Sequence, residues 1–73
     1  MTKLKVGDRV RVTQEGKVGV LGLKEHNAKL GEEGTIIEIM FGELLIVDFG
    51  RHFPENGLTS QALESHELEK VEG

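Results

Sequence analysis

From Asp8 to Thr13 polar and apolar residues alternate, with Val10 and Val12 set against Arg9 and Arg11, the two-residue period of a strand with one buried face. Gly7-Asp8 marks a turn ahead of this strand, which the reading places within Val6–Thr13, and Gln14-Glu15-Gly16 closes it. The pattern then loosens. Between Lys17 and Glu33, Val18, Val20, Leu21, Leu23 and Leu30 are scattered among Gly19, Gly22 and Gly31, around a polar run Lys24-Glu25-His26-Asn27. That spacing predicts a long ordered loop; the competing element is a short helix over Leu23–Leu30, barely two turns long with glycines on both sides.

Gly34 to Met40 is rich in β-branched residues and predicts a second strand, with Phe41-Gly42-Glu43 as a hairpin connection to a third over Leu44–Phe49. Asp48 sets the parity of the third strand: Leu45, Val47 and Phe49 face the core, Leu44 and Ile46 face outward. Two aliphatics on an outer face are either covered by a neighbouring loop or form a partner-binding patch. Gly50 to Gly57 is a turn-rich loop, and Leu58–Leu63 a fourth strand. One tight helical turn over Ser65–Leu68 precedes a short last strand, Glu69–Val71. The whole is an all-β, five-stranded small barrel, a single domain over residues 1–73, with one long loop after strand 1 and a short 3-10 turn before the last strand.

Composition narrows how such a domain is held together. A chain of 73 residues buries only about 60% of its unfolded surface. Its aromatics are limited to Phe41, Phe49 and Phe53, so the core is aliphatic. Ten glycines and one proline suit a chain that reverses often, and the lack of cysteine rules out a disulfide framework or a thiolate metal site. No apolar run has the length of a membrane span, and the opening residues lack the apolar segment of a signal peptide, so a cytoplasmic protein that does not enter membranes is expected.

Charge is divided unevenly along the chain. Residues 1–31 hold seven Lys and Arg against three Asp and Glu, and residues 32–73 hold two against ten, within a net charge of −4. Net acidity works against direct nucleic-acid binding, which draws its affinity from cations that displace phosphate counterions. It fits a basic protein partner.

Four stretches carry a resemblance: Val6-Gly7-Asp8-Arg9-Val10-Arg11-Val12, Gly31-Glu32-Glu33-Gly34-Thr35-Ile36-Ile37-Glu38-Ile39, Ile46-Val47-Asp48-Phe49 and Leu63 to Val71. Together they resemble SH3-like barrels, in an order similar to that of the ferredoxin–thioredoxin reductase variable chain, a small accessory protein of photosystem I and small phage-encoded proteins. The resemblance implies the barrel fold and a non-catalytic docking role. It transfers no binding residue, because the family's binding loops have no counterpart position here, and the Met40–Glu43 loop is shorter than in the reductase chain.

Candidate chemistry is sparse. His26, His52 and His66 lie far apart without a second ligand at helical or hairpin spacing and read as solvent-exposed loop histidines. No nucleophile elbow, phosphate loop or cysteine nucleophile occurs, and Gly16, Gly19 and Gly22 lack a strand-to-helix setting. No catalytic residue, metal, cofactor or small-molecule substrate is therefore expected. Lys3, Lys5, Arg9 and Arg11 allow a KOW-like nucleic-acid-binding barrel, but without aromatics to stack on bases. The leading expectation is a module whose acidic set, Glu32, Glu33, Glu38, Glu43, Asp48, Glu55, Glu64, Glu67 and Glu69, forms one face for a basic partner. A phage-type inhibitor imitating nucleic-acid charge at a host DNA-binding protein is its sharpest form. The alternative is an accessory subunit docked in a redox-type assembly through Phe41, Leu44, Ile46 and Phe53.

Overall fold

The computed structural model describes residues 3–71. Five antiparallel strands form one sheet: β1 (Arg9–Val12), β2 (Glu33–Met40), β3 (Leu44–Phe53), β4 (Leu58–Glu64) and β5 (Leu68–Lys70), in the order β4-β3-β2-β1-β5. A 3-10 turn, Ser65–Glu67, precedes β5. The all-β expectation holds, and so does the placement of each strand, although β1 is shorter than the alternating stretch and β5 starts one residue early. The sheet is not closed, since no ladder joins β4 to β5.

The inner face follows from the alternation. Ile36 lies opposite Val47, Leu63 opposite Leu45, and Val12 opposite Leu68. With Val10, Ala28 and Phe53 these make the buried core, against which Leu4, Ile39 and Phe49 pack. Each large side chain of this core stabilises the fold by about 1.5–3 kcal/mol through burial. At Gly34, opposite Val10, the layers approach so closely that a methyl group would lie 2.6 Å from the Asp48 carbonyl oxygen.

One expectation about chain path is corrected. The loop placed at Gly50–Gly57 is shorter, because β3 runs on to Phe53. Gly50, at φ +72°, donates its N–H to Asp48 Oδ1 at 2.9 Å, and the pairing with β4 shifts between Asp48 and Phe53, so the strand bends instead of ending. The bend carries Phe53 into the core, edge-on to Phe49 at 5.7 Å, with the Arg51 guanidinium 3.8 Å above its ring. The long loop expected after strand 1 is present: residues 13–32 take no helical turn, and the competing short helix does not form. They form a loop that spans the gap between the sheet's two edges.

In that loop, the Asn27 N–H donates to Gln61 Oε1 on β4 at 3.0 Å, and Ala28 enters the core. His26 reaches the other edge, with Nε2 at 3.3 Å from Glu67 Oε2 in the 3-10 turn and 3.1 Å from the Gln14 carbonyl. Its Nδ1 accepts the Ala28 N–H at 3.2 Å. His26 is thus a buried structural residue, not an exposed loop histidine. It is held there because both ring nitrogens find partners, as a buried imidazole requires. His52 and His66 are exposed as expected.

Candidate protein-binding face

Strand register assembles the outer surface of β2, β3 and β4 in three rows. Met40, Leu44 and Glu64 stand side by side; then Glu38, Ile46 and Ala62; then Thr35, Asp48 and Ser60. Residues directly opposite in antiparallel strands project to the same side, so these nine share one face. None of the nine is buried. The face has an apolar centre, Leu44 and Ile46 flanked by Met40 and Ala62, with Glu38, Asp48 and Glu64 around it; at its Thr35 edge stands Arg9 of β1, opposite Thr35 and donating to its Oγ1 at 3.3 Å.

The Met40–Leu44 end continues into the β2–β3 turn. Phe41 and Gly42 take φ values of +55° and +73°, and the Glu43 N–H closes the turn on the Met40 carbonyl at 3.1 Å. Phe41 is 86% exposed. A phenylalanine both strained in the left-handed region and displayed to solvent is unusual, because glycine or asparagine would take the position at lower cost.

The remaining acidic residues are deployed differently. β1 lies between β2 and β5, which places its arginines beside their carboxylates: Arg11 bonds Glu69 at 2.9 Å and Glu33 at 3.1 Å, and Arg9 lies 3.9 Å from Glu33. Hydrogen bonds from Arg11 to Glu69 and Glu33 raise the pKa of the guanidinium above its ordinary value. Arg51 Nη2 bonds Glu32 Oε1 at 3.1 Å, which holds the Glu32 carboxyl below its usual pKa. Glu67 is buried on His26, so it lies outside any acidic face. Of the nine acidic residues singled out from sequence, register brings Glu38, Asp48 and Glu64 together, with Glu43 at the adjoining turn. Glu55 sits in the β3–β4 connection, and Glu32, Glu33, Glu67 and Glu69 are paired elsewhere.

No protein-family model, curated protein or solved structure matches this chain. The face must therefore be read from its own geometry.

Of the apolar set, Leu44 and Ile46 lie in the face and Phe41 at its turn, whereas Phe53 is fully buried and cannot meet a partner. The sequence reading missed Met40, Ala62, Thr35 and Ser60, whose place depends on register. The alternation of Ser60, Ala62 and Glu64 against Gln61 and Leu63 was their only local signal. The histidines are not brought together: among the described residues no three His, Cys, Asp or Glu side chains are grouped to hold a metal ion. An open recess lined by Leu4, Ile39, Leu45 and Leu68 has both signs of charge at its rim, Lys3 and Lys70 with Glu43 and Glu69.

Proposed function

We propose that this chain is a non-catalytic protein-binding module whose β2–β3–β4 outer face docks on a basic, partly apolar protein surface. The observation that carries the reading is the three-row register, which encloses Leu44 and Ile46 with Glu38, Asp48 and Glu64 and keeps Arg9 to its Thr35 edge. In such an arrangement the aliphatic centre supplies water exclusion, and the surrounding carboxylates supply steering and choice of partner. Phe41, exposed at the turn, adds an aromatic anchor at one end of the face.

The face favours recognition of a basic protein over imitation of a phosphate backbone. Four of the nine acidic residues are neutralised by arginine or buried, so no continuous run of free carboxylates follows the sheet. The resemblance to docking proteins of photosynthetic and reductase assemblies belongs to the same functional class.

The test is affinity capture from the source lysate with nuclease present, using the wild type and Glu38→Lys/Glu64→Lys. The reading expects a basic protein that the wild type retains at low salt, releases at high salt, and that the double variant fails to retain. Equal recovery by both proteins overturns it.

A further inference from the structure

The long loop carries a feature that the acidic face does not use. From Val18 to Leu23 the chain reads Val-Gly-Val-Leu-Gly-Leu, six residues without a polar side chain. They form the end of a small hairpin. Val18 and Lys24 make an antiparallel bridge, the Gly19 N–H donates to the Leu23 carbonyl at 2.8 Å, and the Gly22 N–H to the Gly19 carbonyl at 3.0 Å. Its root is fixed, because Gly16 lies against the backbone of the buried His26. Val20 is 104% exposed and Leu21 83%, with Val18 and Leu23 exposed beside them. Contiguous apolar surface of this kind marks an interaction site.

We infer that this hairpin end is a lipid-docking tip that enters the headgroup–acyl boundary of an anionic bilayer. Lys17 and Lys24 stand one on each arm at its root, linked through the Val18–Lys24 bridge and the Glu25 N–H to Lys17 carbonyl bond at 2.9 Å. No carboxylate lies between them in the chain, and Glu25, which follows Lys24, stands on the side away from the tip. Side chains so placed bury their stems beside acyl chains and hold their ammonium groups at phosphate level. All four large side chains of the tip are aliphatic and all are exposed, so the tip is apolar around its whole girth. That suits a medium apolar on every side; a protein pocket more often takes an aromatic or arginine anchor on one side. No helix among the described residues is long and apolar enough to cross a membrane; the tip rests on one surface. The net charge of −4 opposes anionic lipid, so the attachment is weak and reversible.

The chain has no tryptophan, so Leu21→Trp introduces a single reporter. With phosphatidylcholine vesicles doped with phosphatidylglycerol, its emission shifts to the blue and is quenched by brominated acyl chains. Wild-type protein co-sediments with the same vesicles. Val20→Asp/Leu21→Asp, whose side chains are exposed and whose melting curve stays that of the wild type, loses about tenfold or more of that binding. Lys17→Glu/Lys24→Glu weakens binding to doped vesicles and leaves binding to pure phosphatidylcholine unchanged. Absence of both blue shift and co-sedimentation overturns the inference, as does vesicle binding that survives the double aspartate. Loss of a captured protein, and not of vesicles, in the double aspartate also overturns it and makes the tip a protein contact. Glu38→Lys/Glu64→Lys leaves vesicle binding intact, so failure here is separable from failure of the acidic face.

Discussion

Nε2 of His26 lies 3.3 Å from Oε2 of Glu67, with both side chains shut off from solvent. The contact ties the long loop to the turn before β5, while the neighbouring Asn27 holds β4 through Gln61. A sheet whose edge strands do not pair is thereby bridged by side chains. Glu67 is doubly engaged, since its Oε1 accepts the Glu64 N–H at 2.9 Å.

Replacing His26 by alanine leaves Glu67 Oε2 and the Ala28 N–H, both buried, without their partner, which costs about 1–3 kcal/mol for each. We expect His26→Ala to destabilise the fold by about that amount in chemical denaturation. Glu67→Gln, which keeps an acceptor for the imidazole N–H, is milder. Hydrogen exchange at Asn27 and Ala28 rises in both variants before the β2 and β3 amides are affected, because the loop detaches first.

Glycine substitutions separate close approach from backbone freedom. Gly34→Ala drives a methyl group to 2.6 Å from the Asp48 carbonyl oxygen, and Gly16→Ala drives one still closer to that of His26, both rigid backbone atoms. Each is expected to lower stability by about 3 kcal/mol or more. Gly57, at φ +72° with open space around it, should lose only about 1 kcal/mol as alanine. Thermal melts of the three variants check the order.

Phe41 offers a substitution with opposite effects on stability and binding. Its φ of +55° is a left-handed conformation that asparagine tolerates better. Phe41→Asn is expected to raise stability by about 0.5–1 kcal/mol and to weaken partner capture. A drop in stability contradicts the first expectation, and unchanged capture contradicts the second.

Acid sensitivity has a definite sign at Glu32. Its carboxyl titrates below the ordinary 4.5 because Arg51 bonds the charged form. The folded state therefore binds this proton less readily than the unfolded chain. The resulting stabilisation is fully present above about pH 4.5 and is lost as pH falls through the lowered folded value. Glu32→Gln should be less stable than wild type at neutral pH, and the two stabilities should converge in acid. A constant difference from neutral pH into strong acid is the contrary result.

The strands were legible because local period suffices for them. Val10 and Val12 alternate with arginines, and Asp48 interrupts an aliphatic run at the one position that reveals which side is wet. What lay beyond reach depends on contacts distant in sequence. The burial of His26 follows from Glu67, and the core position of Phe53 from a bend at Gly50 that reads locally as a strand end. The acidic set was legible as composition only. The pairing of β1 with both β2 and β5 spends Glu33 and Glu69 on Arg9 and Arg11, and no local pattern foretells that order. The surviving face needed the register of three strands, set by the Phe41–Glu43 turn and the irregularity between Ile36 and Glu38.

The most direct test of the central claim is the affinity of the captured partner for the wild type, Glu38→Lys/Glu64→Lys and Ile46→Asp, each measured at low and high salt. The account predicts that the charge reversal loses about tenfold or more at low salt with a gap that narrows as salt rises, and that Ile46→Asp loses affinity at both. Affinities unaffected by all three outer-face substitutions would contradict it and place the binding surface elsewhere on the molecule.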